Sequence, residues 1–306
     1  MPEASITYAE HAQDILEAIV GLIQTGQPCA LVTSLAIEGG AAREVGSLAV
    51  VSQDGAMLGY LSNGCIDCDI VLQGLTAIET GQVKHIRYGA GSPYIDLKLP
   101  CGGALDLVID PTPNLEMLRA ALEGLYARKM AGLSFATQSD FVRFQYAPKP
   151  ALILAGRGAI LRTTASLAAH MDFELHIASP DCDDIDSLGH LAPKSCQPMT
   201  TPQAPMRMPV DAHTAVLLLF HDHEWEQNLL MHAATLEPFF IGALGSRKTQ
   251  EIRLQRLADA GLSAAYCGRI QGPIGLVPGL RNASLIAVSA LAEVTANLPA
   301  AQISLE

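Results

Sequence analysis

The sequence predicts a two-domain α/β protein: a mixed α/β domain, then a domain built on a mostly parallel sheet. Three observations point there. In the first half, runs rich in Val, Leu and Thr alternate with amphipathic helical stretches, and Asp54-Gly55 and Asn63-Gly64 mark turns. In the second half, short apolar runs such as 151–154 and 215–220 alternate with helix-like segments, and parallel strands need such crossovers. Between the halves, Pro148 and Pro150 interrupt the chain. The expected boundaries are 1–112 for the first domain, 113–149 for a helical linking region and 150–306 for the second.

The elements follow in order. Ile15, Leu16, Ile19, Leu22 and Ile23 share one helical stripe, closed by Gly26. Residues 29–36, 47–55 and 56–64 read as strands. A helix over 68–81 spaces Ile70, Leu72, Leu75 and Ile78 for burial. Residues 84–89, 94–99 and 104–111 return to strand character, and 114–130 form another amphipathic helix. The second domain opens with the strand 151–154, then Gly156 and Gly158, then a helix over 161–171. Residues 173–178 are its second strand. The tract 180–209 is polar and proline-rich and reads as a long surface connection without regular structure. Strands at 215–220 and 239–245 enclose a helix at 224–234. The helix over 249–261 offers Ile252, Leu254, Leu257 and Ala258 as its apolar face, and 284–298 is the last helix. No repeat or low-complexity tract interrupts this order.

Composition excludes some functions. The 306 residues are 49% hydrophobic, which fits a folded globular chain. A formal charge of -12, from 19 basic and 31 acidic side chains, argues against non-specific binding to nucleic acid or an anionic membrane. No targeting segment stands out, and the apolar runs fall far short of a membrane span. Seven cysteines without a signal peptide suggest a reducing cytoplasm, and the odd count leaves at least one thiol unpaired within the chain.

Several motifs carry chemistry. Gly156 permits a tight turn and Gly158 a close approach of backbone to diphosphate, with helix amides to receive charge. Leu161 stands where a third small residue belongs, and Ser179-Pro180-Asp181 lacks an acid at the strand tip. His221-Asp222-His223 follows the most apolar strand and suits either a metal or helix capping. Gly242, Gly245, Ser246, Arg247 and Lys248 suit either a phosphate or a plain N-cap with solvated bases. Pro273–Gly279 is a rigid loop at the same edge, and Arg281 offers an anion contact or a surface ion pair. Cys65-Ile66-Asp67-Cys68 has CxxC spacing, and Cys101 precedes Gly102 and Gly103. These thiols fit a soft metal, a sulfur-bearing ligand, a redox pair, half of a zinc site, or plain apolar filling.

Taken together, GGAAREVGSLAVVSQDG, GYLSNGCID, LPCGGALDLVIDP, LFHDHEWE, FFIGALGSRKT, PIGLVPGLRN and IAVSALAEV, in this order, resemble the XdhC/CoxI family of molybdenum-hydroxylase maturation factors. The resemblance covers nearly the whole chain. It implies a Rossmann-like second domain and a chaperone, rather than an enzyme, that binds a molybdopterin-type molybdenum cofactor. Such a protein protects the cofactor, supports its sulfuration by a cysteine desulfurase and delivers it to an apo molybdenum hydroxylase. GYLSNGCIDCDI is most similar to members accompanying aldehyde oxidoreductases, whose pterin carries a cytosine nucleotide. A cofactor nucleotidyltransferase partner and a cytoplasmic homodimer are further expectations. The cofactor-binding positions carried over are Arg43, Asn63, Gly64, Cys65, Asp67, Cys101, Gly102, Gly103, Gly156, Gly158, His221, Asp222, Gly245, Ser246 and Arg247, with Cys65 as the soft contact to molybdenum. Ala42, Asn63, Ala159, Leu161 and Ser179 depart from the family pattern. An NAD(P)-dependent oxidoreductase and a zinc or redox cysteine scaffold are the competing readings.

Overall fold

The computed structural model describes residues 5–92, 99, 102–137, 139–203, 205, 207–222, 224–299 and 303–305. The chain forms two compact units: one runs to Pro148 and takes back the C-terminal strand, the other is Lys149–Ala300.

The first unit contains β1 (Ser5–Thr7), α1 (Ala12–Gln24), β2 (Cys29–Glu38), β3 (Leu48–Ser52), β4 (Ala56–Gly59), α2 (Asp67–Thr80), β5 (Lys84–Gly89), β6 (Ala104–Asp110), α3 (Leu115–Tyr126), β7 (Ala131–Ala136) and β8 (Phe141–Tyr146). Its main sheet has the order β1-β4-β3-β2-β6-β5, antiparallel except for the β1–β4 pair. Strand β2 shows why both faces are covered. Its side chains alternate: Ala30 and Val32 pack with Ile70 and Val71 of α2, while Cys29 and Leu31 pack with Ile15, Leu16 and Ile19 of α1. Most of residues 113–149, expected as a helical linking region, belongs to this same unit, with α3, β7 and β8 in its core. Leu118, Leu122 and Leu125 of α3 and Phe135 and Phe144 of the β7–β8 hairpin join α1 in one core cluster. The expected strand at 94–99 lies outside the described residues except for Leu99.

The second unit contains β9 (Ala151–Gly156), α4 (Gly158–Ala168), β10 (Glu174–Ser179), α5 (Cys182–Leu188), β11 (Ser195–Pro198), β12 (Thr214–Leu219), α6 (Glu226–Thr235), β13 (Phe240–Ala243), α7 (Arg247–Asp259), α8 (Ala264–Cys267), β14 (Ile270–Gln271) and α9 (Ala283–Ala296). Strand β15 (Ile303–Leu305) returns to the first unit and pairs with β8. The second sheet is parallel throughout, in the order β11-β10-β9-β12-β13-β14. Counted within the unit this is 3-2-1-4-5-6, the doubly wound dinucleotide-fold order. Ile153 and Ala155 of β9 face the layer containing α6 and α7; Leu152 and Leu154 face α4 and α9.

Two expectations for this unit are corrected. The tract 180–209 is not structureless, since it supplies α5 and the edge strand β11. Of the expected apolar face of α7, Leu257 is buried and Leu254 packs on the core, but Ile252 is 40% exposed, and Gln250 and Arg253 are buried in its stead. Arg253 is only 4% exposed and grips Glu226 of α6 through two bonds of 3.0 Å, with further bonds to Gln250 and the Leu244 carbonyl. A guanidinium paired with a carboxylate and bonded at all three nitrogens is what allows that burial. Among the described residues no helix is long and apolar enough to cross a membrane.

Candidate functional site

The Cys65 turn is built between β4 and α2. Gly64 sits at φ 87°, a left-handed conformation that glycine adopts without strain. The chain then enters α2 with Asp67 as its first residue. Asp67 is fully buried. Its carboxylate accepts bonds from the Leu61 N–H (3.1 Å), the Ser62 N–H (3.0 Å), the Ser62 hydroxyl (2.9 Å) and the Gly64 N–H (3.0 Å). The Ser62 oxygen in turn accepts from the Ile66 N–H at 3.1 Å. With about four lone-pair sites per carboxylate, Asp67 has nothing left for a ligand. It shapes the turn and makes no open contact.

The turn holds Cys65 free and exposed, and Cys68 is also free and exposed on the first turn of α2. Cys29, by contrast, is buried, and burial pushes its thiol pKa up. Cys65 lines a cavity of about 350 Å³ together with Gly40, Ala41, Ala42, Leu61, Ser62, Asn63, Leu99, Ala104 and Leu105. Glycine sets the approach of two strands beside this cavity. A Cβ on Gly103 would lie 2.4 Å from the Glu38 carbonyl, so only glycine lets the strand leading into β6 approach β2 this closely. Gly102 precedes it at φ 71°. The structure therefore brings Asn63, Gly64, Cys65 and the segment after Gly102 to one place. Cys101 lies outside the described residues.

Arg43 follows the cavity-lining residues 40–42 and fixes them. Its guanidinium stacks on Tyr60 with 4.7 Å to the ring centre, and its Nη2 donates to the Glu10 carbonyl at 2.6 Å. The Tyr60 hydroxyl donates to the Glu10 carboxylate at 2.6 Å. Desolvation, reinforced by that carboxylate, raises the Tyr60 pKa. Arg43 is engaged as a strut of the cavity wall, with its Nε buried and without a partner among the described residues. Among the described residues, no charged side chain lines the cavity.

In the second unit, Gly156 and Gly158 stand at the switch point between β9 and β12, where this sheet order places its ligand crevice. A Cβ on Gly156 would lie 2.7 Å from the Leu219 carbonyl, so this glycine serves strand packing. Gly158, at φ 72°, donates its amide to Asp184 at 2.7 Å. Asp184 is 1% exposed and also pairs with Arg162 of α4. The amide expected to meet a diphosphate is thus already bonded to an internal carboxylate. Asp181 caps α5 by accepting from the Asp183 N–H. Ser246 caps α7 by accepting from the Thr249 N–H, after Gly245 at φ 150°. Arg247 is exposed at the first position of that helix. His221 and Asp222 are exposed after β12, and Asp222 accepts from the Glu224 N–H; His223 lies outside the described residues. Among the described residues, no group of three His, Cys, Asp or Glu side chains is placed to hold a metal ion.

Sequence reading missed Ser62, Asp184, Arg162 and the Glu226–Arg253 pair. Ser62 had a local signal, a hydroxyl two residues before a glycine turn. The others are joined across 22 to 27 positions of sequence.

Comparison with known proteins agrees with the motif order. A family model described as the XdhC Rossmann domain matches residues 152–294, and one described as the XdhC and CoxI family matches 22–89. The molybdenum cofactor insertion chaperone PaoD of Escherichia coli K12 is 33% identical over 96% of this chain and 90% of its own length. The uncharacterized Escherichia coli protein YqeB is 21% identical over 80% of this chain, but over only 39% of its own length. A crystal structure of a xanthine dehydrogenase from Bacillus halodurans matches with a TM-score of 0.74, covering 92% of this chain and 94% of that one. At 19% identity that likeness speaks for the fold alone. With one relative a third identical from end to end and both halves matched by family models, the chain belongs to the XdhC and CoxI family.

Proposed function

We propose that this protein is a carrier for a molybdopterin-type molybdenum cofactor, which it holds at the Cys65 cavity and delivers to an apo molybdenum hydroxylase. The observation that carries the reading is the exposed, free Cys65 thiol at the rim of an otherwise mostly apolar cavity of about 350 Å³. The volume falls in the usual range for small-molecule sites. A thiol is a suitable neighbour for a soft, dithiolene-bound metal, and aliphatic walls suit a planar pterin. The described lining is mostly aliphatic, which suits the pterin and metal end of the cargo. The cofactor is cargo here, and the protein performs no turnover on it.

The similarity to PaoD supports insertion as the purpose of binding. We further infer cytoplasmic encounters with a cysteine desulfurase, which renews the cargo's sulfur, and with a cofactor nucleotidyltransferase. The cargo is then the cytosine dinucleotide form and the carrier a homodimer. The oxidoreductase reading is disfavoured by Asp184, which occupies the Gly158 amide.

The test uses cofactor released from a purified molybdenum hydroxylase, labelled with radioactive molybdenum and mixed with wild-type protein or Cys65→Ala. Wild type is expected to retain the label through gel filtration and to restore activity to apo-hydroxylase. Cys65→Ala is expected to lose both. Equal retention by the two proteins removes Cys65 from the role. Saturable NADH binding with hydride transfer would replace the carrier by an oxidoreductase.

A further inference from the structure

The carboxylate behind the Cys65 turn is buried and makes no ion pair among the described residues. Its four bonds all come from the segment that carries the thiol: Leu61, Ser62 twice, and Gly64. Hydrogen bonds to a charged acceptor are about twice as strong as neutral ones. As the first residue of α2, Asp67 also lies at the helix end that favours negative charge. The Ser62 hydroxyl passes the restraint on by accepting from the Ile66 amide, so residues on both sides of Cys65 are tied to one carboxylate.

We propose that Asp67 is a positioning residue: its buried charge holds residues 61–66 in one conformation and so fixes the direction of the Cys65 thiol before any cargo arrives. Pre-organisation lowers the ordering cost of binding. The turn needs no ligand to close it, because every acceptor site of Asp67 is already filled. The consequence for cargo affinity rests on the reading of Cys65 given above. The effect on the thiol itself does not.

The experiment is alkylation of the full-length protein by iodoacetamide across a range of pH, with each cysteine followed by mass spectrometry. Cys182, exposed in the second unit, is the internal reference. Asp67→Asn keeps the side-chain shape but turns an N–H₂ group against donors that need an acceptor. It is expected to change the Cys65 rate by about tenfold relative to Cys182 across the pH range, as the release of a turn held by charge-assisted bonds implies. Ser62→Ala removes one of the four donors and the acceptor for Ile66, and is expected to change the rate about threefold. A folded Asp67→Asn protein with a wild-type Cys65 profile overturns the proposal. If that variant does not fold, a wild-type profile in Ser62→Ala overturns it instead. Retention of labelled cofactor by the same variants separates the two readings. An altered Cys65 profile with unchanged retention leaves Asp67 as the positioning group and removes Cys65 from cargo binding.

Discussion

At the Cys65 turn and at the Gly156–Gly158 turn, a left-handed glycine donates its amide to a buried aspartate: Gly64 to Asp67 at 3.0 Å, and Gly158 to Asp184 at 2.7 Å. The two arrangements share their chemistry and differ in where the acid comes from. Asp67 lies three residues after its glycine, begins the helix that the turn leads into, and leaves Cys65 exposed beside a cavity. Asp184 comes from a different helix, α5, and reaches the start of α4, where this topology ordinarily receives a phosphate. One carboxylate builds a site from behind. The other fills one. A glycine-rich turn after a strand therefore says little about binding until the partner of its amide is known.

The largest effect expected from this comparison is on stability. Asp67→Ala leaves four donors facing a void, each worth about 1–3 kcal/mol when buried and unsatisfied. Allowing for relaxation and some entry of water, the loss should be on the order of 4 kcal/mol in urea denaturation. Asp184→Ala should cost less, about 2 kcal/mol, because Arg162 is 43% exposed and can rehydrate. It should also free the Gly158 amide. Wild type is expected to show no shift in melting temperature with millimolar ADP, and Asp184→Ala a measurable rise. If the two alanine variants are equally destabilised, or wild type already responds to ADP, the contrast between the two turns fails.

These two turns also mark what the sequence allows one to read. The Asn63-Gly64 bend, the α1 stripe and the parallel order of the second unit are local or periodic features, so they are visible in the string of residues. Asp67 is visible as an acid beside Cys65, but the string does not say that its oxygens are spent on the backbone. Asp184 sits in the polar, proline-containing tract 180–209. Helix α5 has seven residues and β11 has four, too short for an apolar period to show. Strand β11 is held at the sheet edge by backbone bonding to β10 instead of side-chain pattern. Helix α7 misled in part because its buried face includes Gln250 and Arg253 beside Leu257, and the acid that permits this, Glu226, lies 27 residues away. Strand β15 contributes three residues, and its place beside β8 depends on backbone pairing that no sequence period announces.

The glycines give a finer test. Gly64 and Gly158 both have positive φ and open space where a Cβ would stand. Alanine at either position should cost only the left-handed backbone, about 1–2 kcal/mol. Gly156→Ala meets the Leu219 backbone at 2.7 Å, and overpacking there should cost about 1–3 kcal/mol. Equilibrium denaturation of the three variants should thus rank Gly156→Ala as most damaging. A Gly158→Ala loss well above that of Gly64→Ala would show that the second turn is held more tightly than its open surroundings suggest.

The smallest effect is on alkaline stability. The tyrosines with raised pKa values, Tyr60, Tyr126 (to about 12) and Tyr146 (well above 10), all lie in the first unit. Burial is the leading cause at each, and at Tyr126 a hydrogen bond to Glu17 adds to it. Tyr146 is fully buried and donates to the Gly46 carbonyl at 2.8 Å, beside the strand that begins at Leu48. A folded-state pKa above the unfolded value means that the folded chain holds more protons at alkaline pH. Stability is then fully present below about pH 10 and declines as pH rises from there through the folded values. The first unit should therefore melt at lower temperature as pH rises above 10. Tyr146→Phe, which keeps the ring and deletes the ionising hydroxyl, should flatten that decline while losing roughly 1 kcal/mol at neutral pH for the missing bond to Gly46. An unchanged alkaline slope in Tyr146→Phe would move the titration to Tyr60 and Tyr126, the two that flank the Arg43 strut and the outer end of α3.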